Sequence, residues 1–175
     1  MSNSLAILII ILKTGDLMSC RILIINGPNL GHLGQRQPEI YGTKSMRDLP
    51  DLLETIMGRT VDELDLHFFQ TNGEGQLIDR LEQARKEDVY GVVLNAGAYT
   101  HTSLALADCL AWIDLPCVEV HLSNIFARAE PQRHISLIAP HCIGVIAGLG
   151  LLSYALAVQT LWIHWNTSNE TAFAG

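Results

Sequence analysis

The chain is short of the features that mark several large protein classes. It carries 11 Lys and Arg against 18 Asp and Glu, a formal net charge of -7, and no basic cluster. It therefore lacks the positive field that nucleic acid requires. Its four cysteines, Cys20, Cys109, Cys117 and Cys142, form no C-x-x-C pair and have no zinc-like spacing with histidine. They read as reduced thiols in a cytoplasmic protein. The apolar run Ala6 to Leu12 is far too short to span a membrane. Lys13 and Asp16 follow that run instead of preceding it, which is not the order of a signal peptide. Internal repeats and low-complexity linkers are absent. Two glycosylation sequons, at Asn166 and Asn169, stand without any other sign of secretion and read as chance.

What is present, in 175 residues, is enough for one domain with a proper core. Hydrophobic residues are 49% and charged residues 17%, an apolar balance explained either by surface covered in an assembly or by a large core. Residues 1–20 read as an amino-terminal extension and 21–165 as a single catalytic domain, with 166–175 a small, polar, flexible tail. Leu17-Met18-Ser19-Cys20 resembles a lipoprotein cleavage box, but cleavage there would leave the first strand without a linker. The simpler expectation is that Met18 is the true start, which the mass of the native amino terminus tests.

The stretch Arg21 to Gly42 organises the rest. Arg21 to Ile25 is short, branched and apolar, as expected of a strand buried on both faces. Asn26-Gly27-Pro28-Asn29 stops it. A segment punctuated by Gly27, Gly31, Gly34 and Gly42 follows, and these glycines read as hinges of a loop able to close. It holds Arg36 and Tyr41. A phenol normally titrates near ~10, and a neighbouring guanidinium favours the phenolate, so Tyr41 is a candidate base near neutral pH.

Further on, apolar residues at spacings of three and four (Leu49, Leu52, Leu53, Ile56, Met57, Val61) predict a helix within Ser45 to Leu64, starting around Asp48 because of Pro50. Strands are expected at Asp65 to Gln70, Val89 to Leu94, Cys117 to Leu122 and Ile143 to Ala147. Helices are expected at Gly73 to Lys86, Thr102 to Trp112, and from Gly150 to near Trp162. Asn72 and Glu74 read as helix-capping residues. This alternation predicts an α/β, flavodoxin-like fold, a five-stranded parallel sheet with helices on both faces. In such sheets ligands bind outside the carboxyl ends of the strands. Those ends carry Asn26 to Asn29, then Asn95 to Ser103 with His101, then Glu119, His121, Ser123 and Asn124, with Arg128 just beyond. Such a set of donors and acceptors suits a polyhydroxylated small molecule bearing a carboxylate.

The segments N-G-P-N-L-x-x-L-G-x-R-x-P-x-x-Y-G, N-G-E-G-Q-L-I-D, N-A-G-A-Y-T-H-T-S-x-A-L-x-D, E-V-H-L-S-N-x-x-A-R and G-V-I-A-G-L-G, all present here in order, resemble the type II 3-dehydroquinate dehydratases. The likeness runs from about Arg21 to about Leu161. It implies a lyase that converts 3-dehydroquinate to 3-dehydroshikimate in the shikimate pathway, with no cofactor, no metal and no Schiff base. The resemblance also implies catalytic roles for four residues. Tyr41 would be the base that leaves an enolate, Arg36 the cation that lowers its pKa, Asn29 the holder of the enolate region, and His121 the acid for the departing hydroxyl. Glu119 would support His121. Asn95, His101, Asp108, Leu122, Ser123 and Gln132 match substrate-binding positions, Asp108 reaching a neighbouring subunit's site. The partners implied are the small-molecule substrate and further copies of the chain, in trimers stacked into a dodecamer, with no nucleic acid and no membrane.

The pattern breaks after Arg128. Where the family runs E-x-F-R-x-H, this chain has Glu130-Pro131-Gln132-Arg133-His134. Gln132 lacks the charge and fork of the arginine it replaces, and Arg133 would compensate if Pro131 shifts the backbone. Ala107 replaces an arginine common before the helix aspartate. Two other readings stay open: a non-catalytic binder or scaffold, and a flavodoxin-like electron carrier. Against the second, the segment after the first strand is not a Ser/Thr-rich phosphate loop.

Overall fold

The computed structural model of the chain describes residues 19–33 and 44–173, with side chains to 169. Arg36 and Tyr41 lie outside the described residues, as do the glycines at 34 and 42. Five strands among the described residues, β1 (Cys20–Asn26), β2 (Leu64–Gln70), β3 (Gly91–Asn95), β4 (Cys117–His121) and β5 (Gly144–Ala147), form one parallel sheet in the order β2-β1-β3-β4-β5. This is the doubly wound, flavodoxin-like order. β1 lies inside the sheet between β2 and β3 and is buried on both faces, as its apolar run Ile22 to Ile25 requires.

Side chains alternate across each strand, so the sheet feeds two cores. Leu23, Ile25, Val92 and Leu94 pack on one face with Leu77 and Leu81 of α2 (Glu74–Ala84) and Leu106, Leu110 and Ile113 of α3 (Leu104–Ile113). Ile22, Ile24, Val93, Val118 and Val120 pack on the other with Leu49 and Leu53 of α1 (Leu49–Met57) and Tyr154, Val158 and Leu161 of α4 (Leu152–Phe173).

Two helices differ in extent from their sequence expectations. The helix within Ser45 to Leu64 is broken in three: a 3-10 turn at Met46–Asp48, α1, and a second 3-10 stretch at Gly58–Glu63. Ser45 and Asp48 cap the first turn reciprocally, with Pro50 in the first turn of α1. Gly58, at φ 59°, ends the α-helix, a backbone state that glycine adopts freely. At the other end, α4 continues past Trp162 to Phe173, through most of the segment expected to be a tail. No Gly or Pro interrupts it before Gly175, and the hydroxyls of Thr167 and Ser168 turn back onto the carbonyls of Ile163 and His164 inside the helix. Among the described residues no helix is long and apolar enough to cross a membrane.

Candidate active site

Three strand ends meet above the carboxyl edge of the sheet, held together by close backbone contacts. Gly27 N–H donates to the Asn95 carbonyl at 2.8 Å. A Cβ at Gly27 would stand 2.6 Å from the Ala96 carbonyl oxygen, so only glycine lets the β1 and β3 loops approach this closely. Gly27 is thus required for packing, which corrects its reading as a hinge. Asn29 adopts φ 67°, a left-handed state that asparagine tolerates, and its backbone N–H donates to Asn72 Oδ1 at 2.9 Å. Asn72 therefore braces the β1 loop. It does not cap α2, whose N-cap is Gly73.

The loops enclose a pocket of about 110 Å³. The β1 loop contributes Pro28, Asn29, Leu30 and Leu33. The β3 loop contributes Asn95, Gly97, Ala98 and His101, and the segment after β4 contributes His121, Leu122, Ser123, Arg128 and Arg133. Asn29, Asn95, His101, His121, Leu122 and Ser123, all expected from the sequence, are brought together here.

Glu119 and His121 sit two apart on β4 and so share one face of the sheet. Glu119 is wholly buried, and His121 is 5% exposed. Ser136 Oγ–H donates to Glu119 Oε2 at 2.7 Å and accepts from the Ala139 N–H at 3.0 Å. His121 Nε2 lies 2.6 Å from Glu119 Oε1, and donation from Nε2–H completes the carboxyl's partners. Nδ1 of His121 has no partner among the described residues, so it is the nitrogen free to exchange a proton in the pocket. The His121 carbonyl also accepts from Gly148 N–H and Ser153 Oγ–H, each at 3.1 Å, which fixes the strand end against α4.

His101 stacks on His121, ring centroids 6.3 Å apart and planes 12° from parallel. The Ile135 carbonyl can only accept, so His101 Nδ1 carries the hydrogen across their 2.6 Å contact. Nε2 of the neutral ring is then an acceptor. Burial pushes the His101 pKa below its ordinary value, the Ile135 bond opposes this, and the charges of His121, Arg133 and Arg128 add to the lowering. Arg128 donates from Nη2 to Ser123 Oγ at 3.0 Å, while its buried Nε has no partner among the described residues. An overall acidic chain thus places two guanidinium groups on one small pocket, an arrangement suited to an oxygen-rich anion.

Two expected residues lie elsewhere. Gln132 is exposed, and Arg133, its neighbour on the 3-10 turn Pro131–His134, lines the pocket instead. In a 3-10 turn successive side chains diverge by about 120°, so only one of the pair can face inward. Asp108 is exposed on α3, flanked one turn away on each side by exposed Leu104 and Trp112, and does not line this pocket. Ser136 and Tyr154 were not legible as site residues. For Tyr154 a signal existed: a tyrosine inside an apolar helix face needs a partner for its hydroxyl. Among the described residues no group of three or more His, Cys, Asp or Glu could hold a metal ion.

A doubly wound parallel sheet with a polar, arginine-lined pocket at its strand ends is that of an enzyme acting on a small molecule. Residues 20–162 match the family described as dehydroquinase class II. A 3-dehydroquinate dehydratase of Exiguobacterium sp. is 49% identical over 150 residues, covering 86% of this chain and 99% of that protein. The crystal structure of type II dehydroquinase from Propionibacterium acnes superposes with a TM-score of 0.72 at 45% identity, over 82% of this chain and 97% of that one. The type II dehydroquinase from Butyrivibrio crossotus gives 0.74 at 39% identity, with the same coverage. The chain belongs to the class II dehydroquinase family.

Proposed function

We propose that the chain is a hydro-lyase that removes water from 3-dehydroquinate to give 3-dehydroshikimate, in the shikimate route to aromatic amino acids in the cytoplasm. The observation that carries this reading is the buried Glu119–His121 pair, with a free ring nitrogen in a pocket of amide, imidazole and guanidinium donors. Tyr41, as the phenolate that the positive charge of Arg36 favours, removes a proton from the carbon next to the ketone. The C–H electrons form an enolate, and hydrogen bonding by Asn29 stabilises its oxygen. The enolate collapses to the enone as the C–O bond to the hydroxyl breaks. His121 delivers a proton from Nδ1 to that oxygen, which leaves as water, while Glu119 supports the ring from Nε2. Proton transfer from the Tyr41 phenol back to His121, through solvent, restores both groups.

Asn95, His101 and Ser123 bind the substrate's oxygens, and Leu122 lines the binding site beside them. Arg133 takes the subsite where the family has an arginine at the position of Gln132. Asp108 serves a neighbouring copy's site within trimers stacked as a dodecamer. The exposure of Leu104 (69%) and Trp112 (57%), one turn to either side of Asp108 on α3, supports burial of this surface against further copies. The test is the rise of enone absorbance when 3-dehydroquinate is added to purified protein. Wild type is expected to give it, and Tyr41→Phe to lower the rate by a factor of about 100 or more. A silent wild type overturns the reading.

A further inference from the structure

Behind the pocket, a chain of hydrogen bonds joins β3, α4 and β1. Asn95 Oδ1 accepts from the Gly97 N–H at 3.2 Å. Asn95 Nδ2–H donates to Tyr154 Oη at 2.8 Å. Tyr154 Oη–H donates to Asn26 Oδ1 at 2.6 Å. All three side chains are buried: Tyr154 fully, Asn95 to 3% and Asn26 to 4% exposure. The polarity of this chain is not free to reverse. Its first donor is a backbone N–H, which cannot become an acceptor. With Asn95 Oδ1 committed to it, Nδ2 must face Tyr154. The hydroxyl receives that bond and has its single hydrogen left for Asn26.

Resting on the dehydratase reading, we infer that Tyr154 is a positioning residue: the Gly97 N–H sets the polarity of the Asn95 amide, and Tyr154, by accepting one of its two N–H bonds, holds the other toward the substrate. Asn95 Nδ2 has two hydrogens and Tyr154 takes one. Asn95 also lines the pocket, where its second hydrogen remains for a ligand. The substrate atom opposite must therefore be an acceptor, such as a hydroxyl, carbonyl or carboxylate oxygen, and an ammonium group there is refused. Without the Tyr154 oxygen, Asn95 keeps one weak tether to Gly97 and its amide is free to tilt. Burial holds the Tyr154 phenol far above its ordinary pKa, so it remains a neutral donor and acceptor across the working pH range.

A double-mutant cycle on kcat and KM tests this, with Tyr154→Phe, Asn95→Ala and the pair measured by enone formation. If Tyr154 acts through Asn95, Tyr154→Phe lowers kcat/KM about tenfold in the wild-type background, mostly through KM, and leaves the Asn95→Ala background unchanged. An equal loss in both backgrounds shows a structural role only and overturns the inference, as does an unchanged Tyr154→Phe enzyme. Should Tyr154→Phe not fold, Asn26→Ala loosens the same hydroxyl from its far end and is expected to show the same dependence on Asn95; equal losses in both backgrounds again overturn it. Turnover by wild type keeps failure of this inference separate from failure of the dehydratase reading, whereas a silent wild type removes both.

Discussion

At position 132 a single change of residue moves a charge. The sequence puts glutamine where the family carries arginine, yet the pocket is not left short of a cation, because the next residue turns inward. Pro131 opens the 3-10 turn with its fixed φ, and the tight winding sends Gln132 to solvent and Arg133 to the pocket. The expected outcome is therefore unequal. Arg133→Ala lowers kcat/KM by about 10 to 100-fold, the range for losing a charged hydrogen bond to substrate, while Gln132→Ala stays within about threefold. Steady-state kinetics on the two variants decides it, and the reverse order would return position 132 to the site. Asn29, in left-handed backbone, and Gly27, with no room for a Cβ, show the same dependence of chemistry on local geometry.

Among the elements, α4 does most to join core and site. Its inward side chains lie at Tyr154, Ala155, Val158 and Leu161, the spacing of one helical face, all fully buried. The small Ala155 and Ala157 fit the helix into the buried layer over the sheet. Leu161 sits over Gly91, where a Cβ would come within 2.7 Å of its Cδ2, so the leucine fills the space the glycine leaves. Leu161→Ala is expected to cost about 2–5 kcal/mol, by lost burial plus the cavity left behind. Because Leu161 lies at the far end of the sheet from the pocket, KM of the folded fraction stays unchanged. Denaturant unfolding with parallel kinetics checks both, and a loss below about 1 kcal/mol would mean the space collapses. The first turns of α4 meanwhile bring Ser153 to the His121 carbonyl and Tyr154 to the two asparagines. One helix thus anchors stability on its apolar residues and fixes site geometry on its hydroxyls.

For the whole molecule, the apolar balance of the sequence is divided between two cores and an exposed remainder. Both faces of the sheet are filled, yet Leu104, Trp112, Phe126, Ile135 and Leu149 remain more than half exposed. A lone aromatic at the surface is ordinary, but several on one chain, with exposed Asp108 among them, fit a protein that meets copies of itself. Light scattering on purified protein is expected to give the mass of a dodecamer. Replacing Leu104 by Glu is expected to shift it to smaller species, because a charge would be buried without a partner. A monomer from the wild type would overturn the assembly reading and would leave Asp108 with no site to serve.

The sequence by itself determined the order of elements, the parallel sheet and six of the pocket residues, because each was written locally. Unbroken apolar runs make buried strands, and the polar motifs follow directly at the strand ends, where a doubly wound sheet must gather them. It also placed Glu119 two residues before His121 at a strand end, and the period-two alternation of the strand turns that spacing into a shared face. Tertiary structure alone decided the rest. Ser136 reaches Glu119 from a segment 17 residues on, and Tyr154 meets Asn26 across 128 residues. Arg133 displaces Gln132 by the winding of one short turn. Those relations depend on distance and direction in space, and no local spacing of residues encodes them.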